Sequence, residues 1–297
     1  MQCKEGAKVA VEKRLSRKSK KTISIVSIVI SAVVCISIIG SSFFYDYICR
    51  TRKNVDFQEI INHEVKSSTL YIVSETATIS GNDESFSYGT GFGGVVFSEA
   101  DGVYYALTAL HAVDNNPAHL YVLSYDDLTY NERIAQQEQH IGLRDYYKTL
   151  PIAEVVYSDE EYDLAILKFS CSDSFGILNI ASNTPAFKDQ VAIISSPLNE
   201  GRNEITYGTI ISKKPVKFGD ANGENQRLVI RTSAYDNFGS SGSVLLNKQL
   251  EIAGIVLGGG RDIFDNFRYS LVMPANEIND FITTWYSSKK QSLSMMD

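Results

Sequence analysis

Three residues far apart in the chain, Ser241, His111 and Asp163, have the types and settings that nucleophilic acyl chemistry needs. Ser241 lies in Gly239-Ser240-Ser241-Gly242-Ser243, a run of small residues that lets a substrate backbone come close. A serine hydroxyl is a weak nucleophile at neutral pH. It needs an imidazole to take its proton, and the imidazole needs a carboxylate to hold its tautomer and stabilise its charged form. His111 closes Leu107-Thr108-Ala109-Leu110-His111, and Asp163 opens Asp163-Leu164-Ala165-Ile166-Leu167-Lys168. Ser241 is then the expected nucleophile, chosen over Ser240 and Ser243 by its register in Gly-x-Ser-Gly. The backbone N–H groups of Gly239 and Ser241 are the expected oxyanion donors. Taken singly, each residue has a plain structural explanation: a Gly/Ser loop, a hydrogen-bonded histidine, a strand-initiating turn aspartate. Their order and settings together carry the catalytic reading. His63, His119 and His140 lack such settings and are expected on the surface. No Cys/His cluster has zinc-ligand spacing, so neither a metal nor a cofactor is expected.

The elements that must position these residues are short. From residue 69 onward, β-rich runs cover 69–73, 93–97, 103–108, 153–156, 164–169, 191–194, 206–211, 228–231, 243–246, 252–257 and 268–272. Turn signals separate them: Gly81-Asn82-Asp83, Asp101-Gly102, Ser196-Pro197 and Asn222-Gly223. So many short strands point to an all-β domain, either two six-stranded antiparallel β-barrels or a large sandwich. Ile278, Phe281, Ile282 and Trp285 recur at helical spacing after Pro274, which predicts a C-terminal helix packed by one apolar face. The polar run 131–139 reads as a solvated loop or short surface helix, with a substrate-facing loop as the functional alternative.

At 297 residues the chain has room for one large or two small domains. Its net charge of −7 is unevenly spread. Lys4, Lys8, Lys13, Arg14, Arg17, Lys18, Lys20 and Lys21 face only Glu5 and Glu12 at the N-terminus, so the remainder is acidic. That argues against nucleic acid as a partner. Residues 22–45 carry no charge, and a helix needs about 20 apolar residues to cross a hydrocarbon core. The heavier positive charge before this run than after it, where Arg50, Arg52 and Lys53 follow, predicts a single-pass anchor in the cell membrane. Its N-terminus would be cytoplasmic and its main domain extracytoplasmic. A cleaved signal peptide is the alternative, but no clear Ala-x-Ala site follows. Cys3, Cys35, Cys49 and Cys171 do not form a disulfide framework; Cys171 reads as a lone buried thiol.

The order His, Asp, Ser is the chymotrypsin-type order, and the surrounding motifs sharpen the likeness. The chain resembles the trypsin-like family of two-barrel serine proteases, and within it the HtrA (Deg) type. Gly89-Thr90-Gly91-Phe92-Gly93 followed by Leu107-Thr108-Ala109-Leu110-His111 is similar to that type's Gly-Ser-Gly-Phe strand and Leu-Thr-x-x-His. The Asp163–Lys168 segment is similar to Asp-Leu-Ala-Val-Leu-Lys. Residues 232–243 resemble Thr-Asp-Ala-x-x-Asn-x-Gly-Asn-Ser-Gly-Gly, and 252–259 resemble the strand leading to the specificity pocket. The resemblance covers roughly residues 69–285. It implies the two-barrel fold, peptide-bond hydrolysis, and the triad roles of His111, Asp163 and Ser241.

The expected organisation is a basic cytoplasmic tail (1–21), a transmembrane anchor (22–45), a juxtamembrane linker (46–66), a trypsin-like protease domain (67–288) and a C-terminal tail (289–297). Ser240 replaces the usual Asn or Asp before the nucleophile, so an ion pair with a newly cut N-terminus is not expected. Ser243-Val244 replaces the usual Gly-Pro. HtrA proteins usually carry PDZ domains after the core, and none is expected here. Tyr235, Leu257, Gly258 and Gly259 are the expected substrate-binding residues, with the glycines letting an extended peptide lie close as an added strand. Asp236 either forms the base of the primary pocket or points outward; a small or medium apolar residue before the scissile bond is expected. Protein or peptide substrates are the expected partners, and the resemblance leaves room for a homo-oligomer. The rival reading is a catalytically weak pseudoprotease, an anchored peptide-binding sensor or scaffold.

Overall fold

Strands rich in β-branched and aromatic residues, buried on alternate or both faces, build most of the chain. The computed structural model describes residues 2–80, 83–89, 91–136, 141–198, 201–219 and 226–294. Thr90, His140, Gly81-Asn82 and Asn222-Gly223 fall outside them. The chain divides into two units, residues 1–47 and 48–297. Residues 2–47 of helix α1 (Gln2–Thr51) form the first, and the helix stretch Val26–Thr51 is long and apolar enough to cross a membrane.

In the second unit, α2 (Val55–Ile60) and α3 (His63–Ser67) lead into the first sheet. Its elements are β1 (Thr69–Ser80), β2 (Asp83–Tyr88), β3 (Phe92–Ala100), β4 (Val103–Ala109), α4 (Leu110–Val113), β5 (His119–Leu123), α5 (Tyr130–Ala135), α6 (Leu143–Tyr147), β6 (Ile152–Asp159) and β7 (Leu164–Ser170). The strand order β2-β1-β3-β4-β7-β6-β5, with β5 pairing back onto β1, closes a six-stranded barrel and leaves β2 as a flap on β1. The Asp101-Gly102 turn joins β3 to β4 with both residues at positive φ, the geometry that a two-residue hairpin turn demands. Within the polar run, α5 is a surface helix with a Thr129/Glu132 capping box.

The second sheet holds β8 (Gln190–Ser195), β9 (Glu204–Thr209), β10 (Val216–Phe218), β11 (Arg227–Thr232), β12 (Val244–Leu246), β13 (Ile252–Arg261) and β14 (Phe267–Pro274). Its order is β10-β11-β14-β13-β12-β8-β9. A single bridge between Ile210 and Thr232 brings β9 back to β11, so this barrel closes more loosely than the first. A shared core joins the two: Val95, Leu107 and Ile166 from the first barrel pack with Ile194, Val244 and Ile255 from the second.

Each end of the second unit straps the opposite barrel. The C-terminal helix α7 (Ala275–Ser294) buries Ile278, Phe281, Ile282 and Trp285, as their spacing predicts. Trp285 lies against Phe97 and Tyr105, and Phe281 against Tyr157, all in the first barrel. The segment before β1 does the reverse. Phe57, Ile61 and Val65 are buried in the shared core, and Phe57 faces Tyr207 of β9. Cys49 is buried nearby in sequence, Arg50 lies 4.4 Å over the Tyr235 ring, and Arg52 reaches Ser233 Oγ. A fully buried Phe truncated to Ala leaves a cavity that costs about 3–5 kcal/mol. Phe57→Ala should therefore lower the unfolding free energy by about 3 kcal/mol or more in denaturant titrations. A loss under about 1 kcal/mol would mean that this segment does not belong to the folded core.

Candidate active site

Ser241, His111 and Asp163 meet at the seam between the barrels. His111 sits on the single-turn helix α4, which leaves β4 directly after Ala109. Asp163 occupies the turn between β6 and β7 with φ at 54°, a conformation that aspartate tolerates better than most residues. That backbone carries both of its ends toward α4: the Asp163 carbonyl accepts from Leu110 N–H, and Oδ1 accepts from His111 N–H at 2.9 Å. The carboxylate's other oxygen, Oδ2, lies 2.8 Å from His111 Nδ1, and His111 Nε2 lies 2.9 Å from Ser241 Oγ. With Nδ1–H donated to Asp163, the Nε2 lone pair faces the serine hydroxyl, which is the tautomer that a general base requires. Asp163 is buried, whereas the His111 side chain is 45% exposed. The imidazole therefore opens onto solvent while the carboxylate does not.

The loop carrying Ser241 depends on glycine at two points. Gly239 has φ 89° and Gly242 φ 80°, both in the left-handed region. A Cβ on Gly242 would lie 2.3 Å from both the Gly93 carbonyl oxygen and Thr108 Oγ1. These two groups bond each other at 2.7 Å, and Gly93 N–H donates to the Ser241 carbonyl at 2.8 Å. Strands β3 and β4 of the first barrel thus grip the Ser241 loop of the second. The Phe238 carbonyl accepts from Leu198 N–H at 2.6 Å. Because the peptide unit is planar and trans, the Gly239 N–H points the opposite way, away from the Ser196–Leu198 segment. Ser240 is fully buried; its hydroxyl accepts from Asn237 N–H and closes the loop on itself. Ser243 is buried against Gly93, and its hydroxyl lacks a hydrogen-bond partner among the described residues.

The expected substrate-binding residues divide. Leu257 lines a cleft of about 500 Å³ together with Leu110, His111, Phe218 and Arg227. Gly258 and Gly259 follow it along β13; Gly259 is exposed, and a Cβ there would meet Asp236 Oδ1 at 2.5 Å. The Tyr235 side chain is buried between Phe267 and Arg50, not spread on an open surface. Asp236 points inward and is 3% exposed. Burial pushes its carboxyl up to about 8, only partly opposed by the Ser270 hydroxyl and Arg261. Arg261 also donates to the Asp236 and Asn237 oxygens, bracing the approach to Gly239.

Two features escape sequence reading. Arg227 Nη1 lies 2.7 Å from Asp163 Oδ2, joining the site from β11. A second histidine–carboxylate pair exists: the partly exposed His119 has its Nδ1 2.6 Å from Glu75 Oε2, a buried partner that the sequence does not reveal. Glu75 is fully buried. Burial works against its charge, but Tyr88, His119, Arg144 and Tyr121 outweigh that and hold its carboxyl below the usual range. Its partners staple β1, β2, β5 and α6 together. Cys35 is an exposed thiol, and Cys171 is only half-buried. Among the described residues, no group of His, Cys, Asp and Glu side chains could hold a metal ion.

Paired barrels with a serine–histidine–aspartate line at their seam define the trypsin-like architecture. The trypsin-like peptidase domain matches residues 89–255, more than half of the chain, and the protein belongs to that family. No curated protein matches the chain. Solved structures share the fold. The MamO protease domain from Magnetospirillum magneticum, in its apo form, is 20% identical with a TM-score of 0.51, covering 73% of this chain and 97% of its own. The inactive form of the Rv3671c protease is 18% identical with a TM-score of 0.50, covering 74% of this chain and 89% of its own.

Asp236 makes stability pH-dependent with a definite sign. Its unfolded carboxyl ionises near about 3.9, whereas the folded one holds its proton to about 8. Between these values the folded state binds more protons, so stability falls as pH rises and levels off beyond the upper value. Asp236→Asn should remove this slope and raise the melting temperature more at pH 8 than at pH 5. Equal gains at both pH values in thermal scans would show that Asp236 is ionised in the folded protein.

Proposed function

We propose that the protein is a membrane-anchored serine endopeptidase that cleaves exported or misfolded proteins outside the cytoplasmic membrane. The observation that carries this reading is the continuous line from Asp163 through His111 to Ser241, at 2.8 and 2.9 Å. In the proposed reaction Ser241 Oγ attacks the scissile carbonyl as His111 Nε2 takes the hydroxyl proton. The N–H groups of Gly239 and Ser241 hold the oxyanion. His111 then passes the proton to the leaving amine, the C–N bond breaks, and an acyl-enzyme remains. Water repeats the sequence: His111 takes its proton, the acyl–oxygen bond breaks, and Ser241 regains its hydrogen.

Topology and specificity extend the proposal. The basic residues before the apolar helix favour a cytoplasmic N-terminus and an extracytoplasmic protease domain. An Asp236 carboxyl that keeps its proton near neutral pH is a hydrogen-bonding group rather than a counter-ion, which favours an uncharged residue before the scissile bond. Leu257, Gly258 and Gly259 on β13 supply an edge along which an extended peptide adds as a strand.

Fluorophosphonate labelling of the full chain in detergent, followed by peptide mapping, tests the reading directly. A single adduct on Ser241, abolished by His111→Ala, is expected. Ser241→Ala should lower cleavage of an unfolded protein by at least about 10³-fold. Binding of unfolded protein with no adduct and no cleavage would instead identify an anchored peptide-binding scaffold.

A further inference from the structure

Arg227 breaks the pattern of its own strand. Residues along β11 that face inward are buried, yet the first inward position is an arginine, while the next, outward position is Leu228 at 43% exposure. An arginine in a buried slot costs desolvation that an apolar residue of the same volume would avoid. Its guanidinium is nevertheless well placed. Nη1 lies 2.7 Å from Asp163 Oδ2, the same oxygen that receives the His111 Nδ1 proton, and Nη2 donates to the Glu160 carbonyl at 3.1 Å. The Arg227 and Asp163 side chains are 9% and 10% exposed, so solvent screens the pair little. Nε has no partner among the described residues, so the side chain is not there to satisfy its own donors.

We propose that Arg227 is a positioning residue for the Ser241 reaction, holding Asp163 across the barrel seam in the orientation that receives the His111 Nδ1–H. This inference rests on the reading of Ser241 as nucleophile. The positional part follows from connectivity. Asp163 and Glu160 belong to the β6–β7 turn of the first barrel, whereas Arg227 belongs to β11 of the second, the barrel that carries Ser241. One guanidinium fork therefore ties the orienter of the base to the barrel of the nucleophile. The orientation part follows from the shared oxygen: Oδ2 accepts from both the Arg227 Nη1 and the His111 Nδ1, and Oδ1 accepts from the His111 backbone N–H, so the carboxylate is held in one plane.

The test is the Nδ1–H resonance of His111 in NMR of the full chain with labelled histidine, read alongside steady-state kinetics. Arg227→Gln should shift or broaden that resonance and lower kcat by about tenfold or more with KM little changed. Arg227→Lys restores one donor and should recover part of kcat. Should Arg227→Gln fail to fold, Arg227→Met fills the slot with an apolar chain of similar length and reads the same resonance. An unchanged resonance and kcat in these variants, with only a lower melting temperature, would reduce Arg227 to a structural residue and overturn the proposal. The resonance needs no turnover, so a wild-type chain that neither labels nor cleaves would sink the peptidase reading while the hold on Asp163 was still measured.

Discussion

Ser241 and His111 hang from different barrels, so the 2.9 Å between them is only as firm as the packing across the seam. Most of the unusual features of this chain serve that constraint. The shared apolar core draws on strands of both barrels, and hydrophobic burial, being non-directional, supplies the bulk of the adhesion. Direction comes from the polar contacts at the seam. Gly93 N–H meets the Ser241 carbonyl, Thr108 meets the Gly93 carbonyl, and Arg227 meets Asp163. The strapping of each barrel by the opposite end of the folded unit adds a covalent logic to the same end, since neither barrel can drift without displacing α7 or the Phe57 segment.

The Ser241 loop shows how tightly backbone geometry and side-chain size are matched. Positive φ at Gly239 and Gly242 turns the chain sharply enough to leave Ser241 partly open while burying Ser240 and Ser243. The close approach of β3 leaves no space for a Cβ on Gly93 or Gly242. Ser243 therefore fits where it does because residue 93 is glycine. Its unpartnered hydroxyl is a local cost that the well-packed strands around it outweigh. The lock between the Phe238 carbonyl and Leu198 fixes the remaining freedom of the loop, the orientation of the Gly239 peptide.

Much of this was legible from residue patterns. Short alternating strands announced an all-β domain, barrels or sandwich, and the apolar spacing of Ile278, Phe281, Ile282 and Trp285 a terminal helix, because pleat and helix impose periods of their own. The choice of two barrels came from the family resemblance. The settings of His111, Asp163 and Ser241 pointed to their meeting, since each motif combines a strand end with a residue type that chemistry needs. Less visible was the docking of Phe57, Ile61 and Val65 into the core, because the segment's short helices carry too few turns for a strong periodic signal. The pairing of His119 with Glu75 was not visible because its buried partner lies on another strand.

The sequence by itself determined the local events: which segments become strands, where the chain must turn through glycine, and which side chains can act as nucleophile, base and orienter. These follow from backbone sterics and residue chemistry, and they need no distant partner. Only the tertiary structure decided which charges face one another across the seam. Arg227 reads in sequence as an ordinary strand residue, and Asp236 as a loop acid that either forms a pocket base or points outward. One becomes the partner of Asp163, and the other is stripped of water beneath Gly259. Electrostatic interaction depends on distance and dielectric, and both are set by folding rather than by position along the chain.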